Sequence, residues 1–231
     1  MKEDTFNGGS DLQPLPSRAT RKISKRSKHS SRGGIVAQLP TWERPRIVYF
    51  ESKLEQRVLF LLLARPDLVD LREQPPMIRY RDEQGQLKHH FFDFLIELRS
   101  GRRVAIAVKP AKIARRSRFV RNLRCIRQEM RKDYAHDIVL ITDQDFTKAE
   151  ALNAERYHEF RRNRDLEADK ALSHVLASTS FPTTVGKLAQ RVGRNGKGYR
   201  AVVIAIFEGL LFADKATLID ADTPVFRGDV Q

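Results

Sequence analysis

The stretch HFFDFLIELRSGRRVAIAVKP, residues 90–110, decides the fold. Two apolar runs, Phe91 to Leu98 and Val104 to Val108, flank Arg-Ser-Gly-Arg, and a short turn with Gly101 supplying the tight backbone joins them as a β-hairpin. Strand side chains alternate faces, so Phe92, Phe94, Ile96 and Leu98 share one side while Phe91, Asp93, Leu95 and Glu97 share the other. On the second strand Val104, Ile106 and Val108 point one way, and Arg103, Ala105, Ala107 and Lys109 the other. One face is wholly apolar. The opposite face carries Asp93 and Lys109 on neighbouring strands, both costly to bury unless they are paired or working.

Outward from the hairpin, 231 residues at 41% hydrophobic allow one or two domains with a real core. The mean hydropathy of -0.49 and a longest apolar run of only Val58 to Ala64 argue against a membrane span, which needs roughly 20 apolar residues. No apolar signal core opens the chain, so the expected compartment is the cytoplasm. The single cysteine, Cys125, excludes an internal disulfide and a thiolate zinc cluster and reads as core filling. A formal charge of +14 points to a polyanionic partner. The excess is uneven: residues 1–40 carry 8 basic and 3 acidic side chains, residues 41–163 carry 26 and 18, and residues 164–231 carry 9 and 8.

Residues 1–40, rich in Ser, Gly, Lys and Arg, read as a disordered basic tail. Within it Arg18 to Arg32 holds seven basic residues and no acid, suited equally to a phosphate backbone and to a solvated leader. Glu51 to Ala64 reads as a helix that ends before Pro66. Glu55 lies near its apolar side, either at an edge with its carboxylate reaching solvent or as a site residue, whereas Glu51 reads as a capping residue favoured by the helix dipole. A Gln-Pro-Pro turn, a strand Met77 to Arg81 and a turn at Gly85 precede the hairpin.

Past Pro110 a long helix, Ile113 to Asp133, carries an apolar stripe of Phe119, Leu123, Ile126 and Met130. From Lys112 to Lys132 nine basic residues stand against one acid, which marks Lys112, Arg116, Arg121 and Arg124 as DNA-contacting candidates. Asp137 to Thr142 predicts a strand in the buried middle of a mixed sheet, and Lys148 to Arg162 a connecting helix. The remainder, residues 164–231, predicts helices Leu166 to Ala177, Thr183 or Thr184 to Val192, and Gly198 to Glu208, then strands Leu211 to Ala213 and Thr217 to Ile219. That is the layout of a winged helix-turn-helix. Its recognition helix offers only Lys197 and Arg200, preceded by Arg194, so docking a protein suits it at least as well as binding DNA.

Glu55 on a helix, Asp93 on a hairpin strand and Lys109 on its partner strand resemble the PD-(D/E)xK nuclease superfamily. The segments FESKLEQRVLFLL (50–62), REQPPMIRY (72–80) and FDFLIELRSGRRVAIAVKP (92–110), with the trailing winged-helix segment, look like the TnsA endonuclease subunit of heteromeric transposases, over about residues 45–225. The resemblance implies an α/β fold: a restriction-endonuclease-like mixed sheet flanked by helices over residues 41–163, followed by a small winged helix-turn-helix domain over 164–231. It implies metal-dependent cleavage of DNA strands at transposon ends, with a transposase subunit and an ATPase regulator as partners and no membrane. Asp93 becomes the main Mg2+ ligand, Glu55 an accessory ligand directly or through water, and Lys109 the lysine of the motif.

The pattern departs at two positions: Ala107 stands where the family has Glu or Gln two residues before the lysine, and Phe92 where it has proline before the aspartate. Glu97 does not replace the missing acid, because four residues of strand put it roughly 13 Å from Asp93. The alternative is therefore a catalytically weakened homologue that binds DNA and docks partners.

Overall fold

The structure, a computed structural model, describes residues 13–21, 31–116, 118–193 and 195–228. In chain order it runs β1 (Gly33–Ala37), β2 (Arg46–Phe50), α1 (Lys53–Leu63), β3 (Leu68–Glu73), β4 (Ile78–Arg81), β5 (Leu87–His90), β6 (Phe94–Leu98) and β7 (Arg103–Val108). It continues through α2 (Ala111–Arg116), α3 (Phe119–Glu129), β8 (Asp137–Ile141), α4 (Lys148–Arg162) and α5 (Leu166–Ala177). The last elements are β9 (Thr183–Thr184), α6 (Val185–Val192), α7 (Lys197–Phe207), β10 (Leu211–Phe212) and β11 (Pro224–Arg227). None of the described helices is long and apolar enough to cross a membrane.

The centre is a mixed four-stranded sheet of order β3-β6-β7-β8, antiparallel except for the parallel pair β7 and β8. β6 and β7 form the expected hairpin, with Phe94 opposite Ile106 and Ile96 opposite Val104. Gly101 makes the turn at φ +76, a conformation that a side chain disfavours. Alternation then sorts the two faces. Phe94, Ile96, Val104, Ile106 and Val108 pack with Val58, Leu59 and Leu62 of α1, whereas Ala105 and Ala107 pack with Ile78, Tyr80, Leu123 and Ile126. Helices thus cover both faces, so the small alanines reflect the close approach of α3 rather than an open surface. Phe92 breaks the expected pattern: Asp93 is a bend ahead of β6, and Phe92 joins the α3 side, fully buried.

Four expectations need correction. The strand at Asp137 is an edge of the sheet, not its middle, because among the described residues only β7 pairs with it, and Val139 stays 39% exposed. The long basic helix is two, α2 and α3, interrupted at Arg118, whose ψ of 9° leaves the helical path; the break lets Phe119 face Lys109 while Leu123 and Ile126 face the sheet. Residues 13–21 and Gly33–Ala37 are not disordered tail. Gln13 to Arg21 forms a strap along the β2 and β3 side, where Leu15 bridges Arg46, Arg18 pairs with Asp70 at 2.6 Å and Ser17 bonds Glu73, while β1 pairs with β2. Residues 22–30 of the basic run, and Arg194, lie outside the described residues.

The last correction concerns Thr217 to Ile219, which is not a strand; β10 pairs instead with β11, and β11 with β9. Asn153 of α4, fully buried, supplies the reason. Its Nδ2 donates to the carbonyls of Lys215 (3.1 Å) and Thr217 (2.7 Å), and its Oδ1 accepts from the Ile219 N–H at 3.1 Å. These backbone groups are satisfied by one side chain, leaving nothing for a ladder. α4 is accordingly more than a connector: Ala154 packs into the α1 core, and Tyr157 stacks on Phe207 of α7 with ring centres 4.5 Å apart.

Candidate active site

Two carboxylates meet beside the end of the hairpin, and each has a local cause. Ser52 caps α1, its Oγ accepting from the Glu55 N–H at 3.1 Å. Glu55 answers in kind: Oε1 accepts from Ser52 Oγ at 2.9 Å and Oε2 from the Glu51 N–H at 2.7 Å. The capping role expected of Glu51 therefore falls to Glu55, which is buried at 9% exposure rather than reaching solvent from an edge. Burial raises its carboxyl pKa, the two hydrogen bonds oppose this, and the nearby Glu51 charge adds to it.

Asp93 is fixed through its backbone and its side chain. Its N–H donates to the Ile106 carbonyl at 2.9 Å, its carbonyl accepts from Gln74 N–H at 2.9 Å, and its Oδ2 accepts from Val108 N–H at 2.7 Å. Burial pushes its carboxyl up to about 7, with the negative charge of Glu55 as the next contribution; the Val108 N–H, Lys109 and Arg21 pull the other way. The pair Asp93 and Glu55 thus repel each other across the site. Lys109 is exposed, not buried with Asp93 as a costly pair; its Nζ lies 5.7 Å from the centre of the Phe119 ring, and it acts on Asp93 through charge.

Three further residues belong to this region. Arg21, at the end of the strap, pairs with Glu51 Oε2 at 2.5 Å, bonds Gln74 Oε1, and lies 5.5 Å from the Phe91 ring centre. Gln74 holds a left-handed backbone, φ +42, unusual for a residue with a side chain. His90 stacks edge-on against Phe92 (4.7 Å) and Phe119 (5.7 Å); burial, then the Lys109 charge, lowers its pKa to about 4. Its Nε2 is buried with no hydrogen-bond partner among the described residues. The sequence reading singled out none of the three: Arg21 is one of seven basic residues in its run, Gln74 lies in the quoted segment REQPPMIRY without a role of its own, and His90 only opens the hairpin stretch.

Ala107, the position lacking an acid, is fully buried in the cluster of Phe92, Ala105, Leu123 and Ile126. Glu97 sits opposite Arg103, toward the Gly101 turn and away from Asp93. Lys112 is exposed on α2. Arg121 and Arg124 are exposed on α3, Arg121 3.6 Å from Glu83, while the side chain of Arg116 lies outside the described residues.

Among the described residues no three His, Cys, Asp or Glu side chains are grouped to hold a metal ion. Two carboxylates whose charges act on each other still fit Mg2+, which is commonly held by one or two carboxylates with water and phosphate oxygens completing the shell. A cation at the pair would offset both causes that raise Asp93, its burial first and the Glu55 charge second.

Residues 65–163 match the family model described as the TnsA-like endonuclease N terminal. The matched segment takes in Asp93, Ala107, Lys109 and the two basic helices; α1 and Glu55 lie before it. No curated protein matches the chain.

Proposed function

We propose that this chain is the metal-dependent endonuclease subunit of a heteromeric transposase, cutting DNA strands at transposon ends while a transposase subunit makes the complementary cut under an ATPase regulator. The observation that carries the reading is Asp93, held by the Val108 N–H with the Glu55 and Lys109 charges acting on it, with Asp93 and Lys109 inside the segment similar to TnsA-like endonucleases. Asp93 and Glu55 would hold Mg2+. That ion, when bound, supplies the polarisation of the phosphodiester and the lowered pKa of an attacking water. In the hydrolysis, the water oxygen bonds to phosphorus, one P–O ester bond breaks, and the water's protons leave to solvent and to the departing oxygen. Lys109, exposed at the rim, is placed to give charge-assisted hydrogen bonds to the phosphate oxygens as charge develops there.

The fold reading belongs to the same proposal: the mixed sheet between α1 and α3 is read as the PD-(D/E)xK core. α5, α6 and α7 with the small sheet β10-β11-β9 are read as a winged helix that docks a protein partner. Lys109→Ala is expected to lower cleavage at least 100-fold, in line with loss of an electrostatic stabiliser, and Glu55→Gln to cost more than Glu51→Gln. Equal losses from the two glutamine variants, measured as single-turnover rates, would remove Glu55 from the site.

DNA binding is assigned to Lys112, Arg116, Arg121 and Arg124, acting on phosphates without strong sequence preference. Replacing Arg116, Arg121 and Arg124 with Ala should weaken duplex binding and flatten its salt dependence by roughly one log unit of slope per lost contact. An unchanged slope would detach this face from DNA. The second reading, a weakened homologue retained for binding DNA and partners, is favoured by one observation: the side chain at 107 is a fully buried alanine.

A further inference from the structure

We propose that Arg21 is a resident counter-cation of the carboxylate site, on the side opposite the family's lysine position, and that it holds back a divalent cation until a DNA phosphate takes its guanidinium. The inference rests on the metal-dependent reading above. The strap brings Arg21 there by several independent contacts. Thr20 donates to the Gln74 carbonyl through both its N–H (3.0 Å) and its hydroxyl (2.8 Å), and Arg72 Nε donates to the Arg18 carbonyl at 3.1 Å. Arg18 and Ser17 bind Asp70 and Glu73 further back. Arg21 is thereby delivered to Glu51 and Gln74 with its side chain 33% exposed, within reach of a ligand.

Its charge bears on the same groups that would hold the ion. Glu51 donates its N–H to Glu55, and Gln74 donates its N–H to the Asp93 carbonyl, so each hydrogen-bonding partner of Arg21 is bonded in turn to one member of the carboxylate pair. A fixed positive charge here favours ionised carboxylates yet opposes entry of a second cation. A phosphate offers the guanidinium two oxygens for a bidentate, charge-assisted pair, whereas Glu51 holds it through Oε2 alone, so a phosphate can take the guanidinium over. By linkage, whatever draws Arg21 away from the carboxylates raises metal affinity, and metal in turn raises affinity for the phosphate.

The test is Mn2+ binding to the full chain, followed by electron paramagnetic resonance with and without a duplex, for wild type, Arg21→Ala, Arg21→Lys and Arg18→Ala. Expected is tighter Mn2+ binding by Arg21→Ala in the absence of DNA, by about tenfold, with the enhancement that DNA gives wild type largely lost. Arg21→Lys should stay close to wild type without DNA because the charge remains. Arg18→Ala, which removes a positive charge from the same strap while the two Thr20 bonds to Gln74 keep Arg21 in place, should leave Mn2+ affinity unchanged. Equal or weaker Mn2+ binding by Arg21→Ala, or the same gain from Arg18→Ala, would overturn the proposal. Binding of Mn2+ by wild type without any cleavage would remove the endonuclease reading while leaving this comparison decisive. Absence of Mn2+ binding in wild type with its appearance in Arg21→Ala would support the counter-cation, and absence in both would overturn it.

Discussion

Asp93→Asn is expected to abolish cleavage and, at pH 8 without metal, to make the protein more stable than wild type. The substitution keeps shape and leaves an acceptor for the Val108 N–H, so the hairpin end should hold. It removes the charge that burial and Glu55 both disfavour. The sign follows from linkage: the folded carboxyl titrates at about 7 and the unfolded one near 3.8, so the folded state binds the proton more tightly. Stability from this group is full below the unfolded value and lost as pH rises to the folded one, leaving a penalty above pH 7. Screened by solvent, that penalty is on the order of 2 kcal/mol, and its removal should raise the thermal midpoint by roughly 5 °C. A gain in stability with loss of activity is the mark of a strained functional group. Melting curves at pH 4 and pH 8 check it: a variant less stable than wild type at pH 8 would mean Asp93 is structural.

Ala107→Glu has the second largest expected effect, and it acts in two directions. Ala107 is fully buried among Phe92, Ala105, Leu123 and Ile126, so a glutamate there must displace apolar side chains and carry a carboxylate past them toward Lys109. Overpacking and charge burial together should cost about 3 kcal/mol in a metal-free buffer, a fall of roughly 5–10 °C in midpoint. Mg2+ should recover more of this loss than it adds to wild type, because the new acid lies two residues before Lys109 on the same strand face, and cleavage should rise with it. A midpoint that falls and does not respond to Mg2+ would place position 107 in the core alone. Cleavage created only in the variant, with none in wild type, would make the chain a silenced nuclease.

The hairpin was legible because its signals are local: alternating apolar runs, a glycine at the turn and two charged residues on one side. Face assignment failed at Phe92, since the bend at Asp93 is set by bonds to Ile106, Val108 and Gln74 that no pattern within the strand encodes. Glu55 was legible as an acid near an apolar stripe. Its bonds to Ser52 and Glu51 follow a capping-box spacing, Ser52 to Glu55, that the helix start at Lys53 makes plain afterwards. Arg21 was hidden because its tract has the composition of a disordered tail, and contacts thirty or more residues away, to Glu51, Asp70, Glu73 and Gln74, turn it into part of the fold. The false strand at Thr217 had the same cause, its backbone being claimed by a distant Asn153.

The most direct measurement is Mg2+-dependent cleavage of a duplex carrying transposon-end sequence, by wild type and Asp93→Asn side by side, each with the proposed transposase partner added. Expected is strand scission by wild type that vanishes with chelator and is lost in Asp93→Asn, while both bind the duplex alike. Scission that persists in Asp93→Asn, or its absence in wild type with metal and partner supplied, would contradict it.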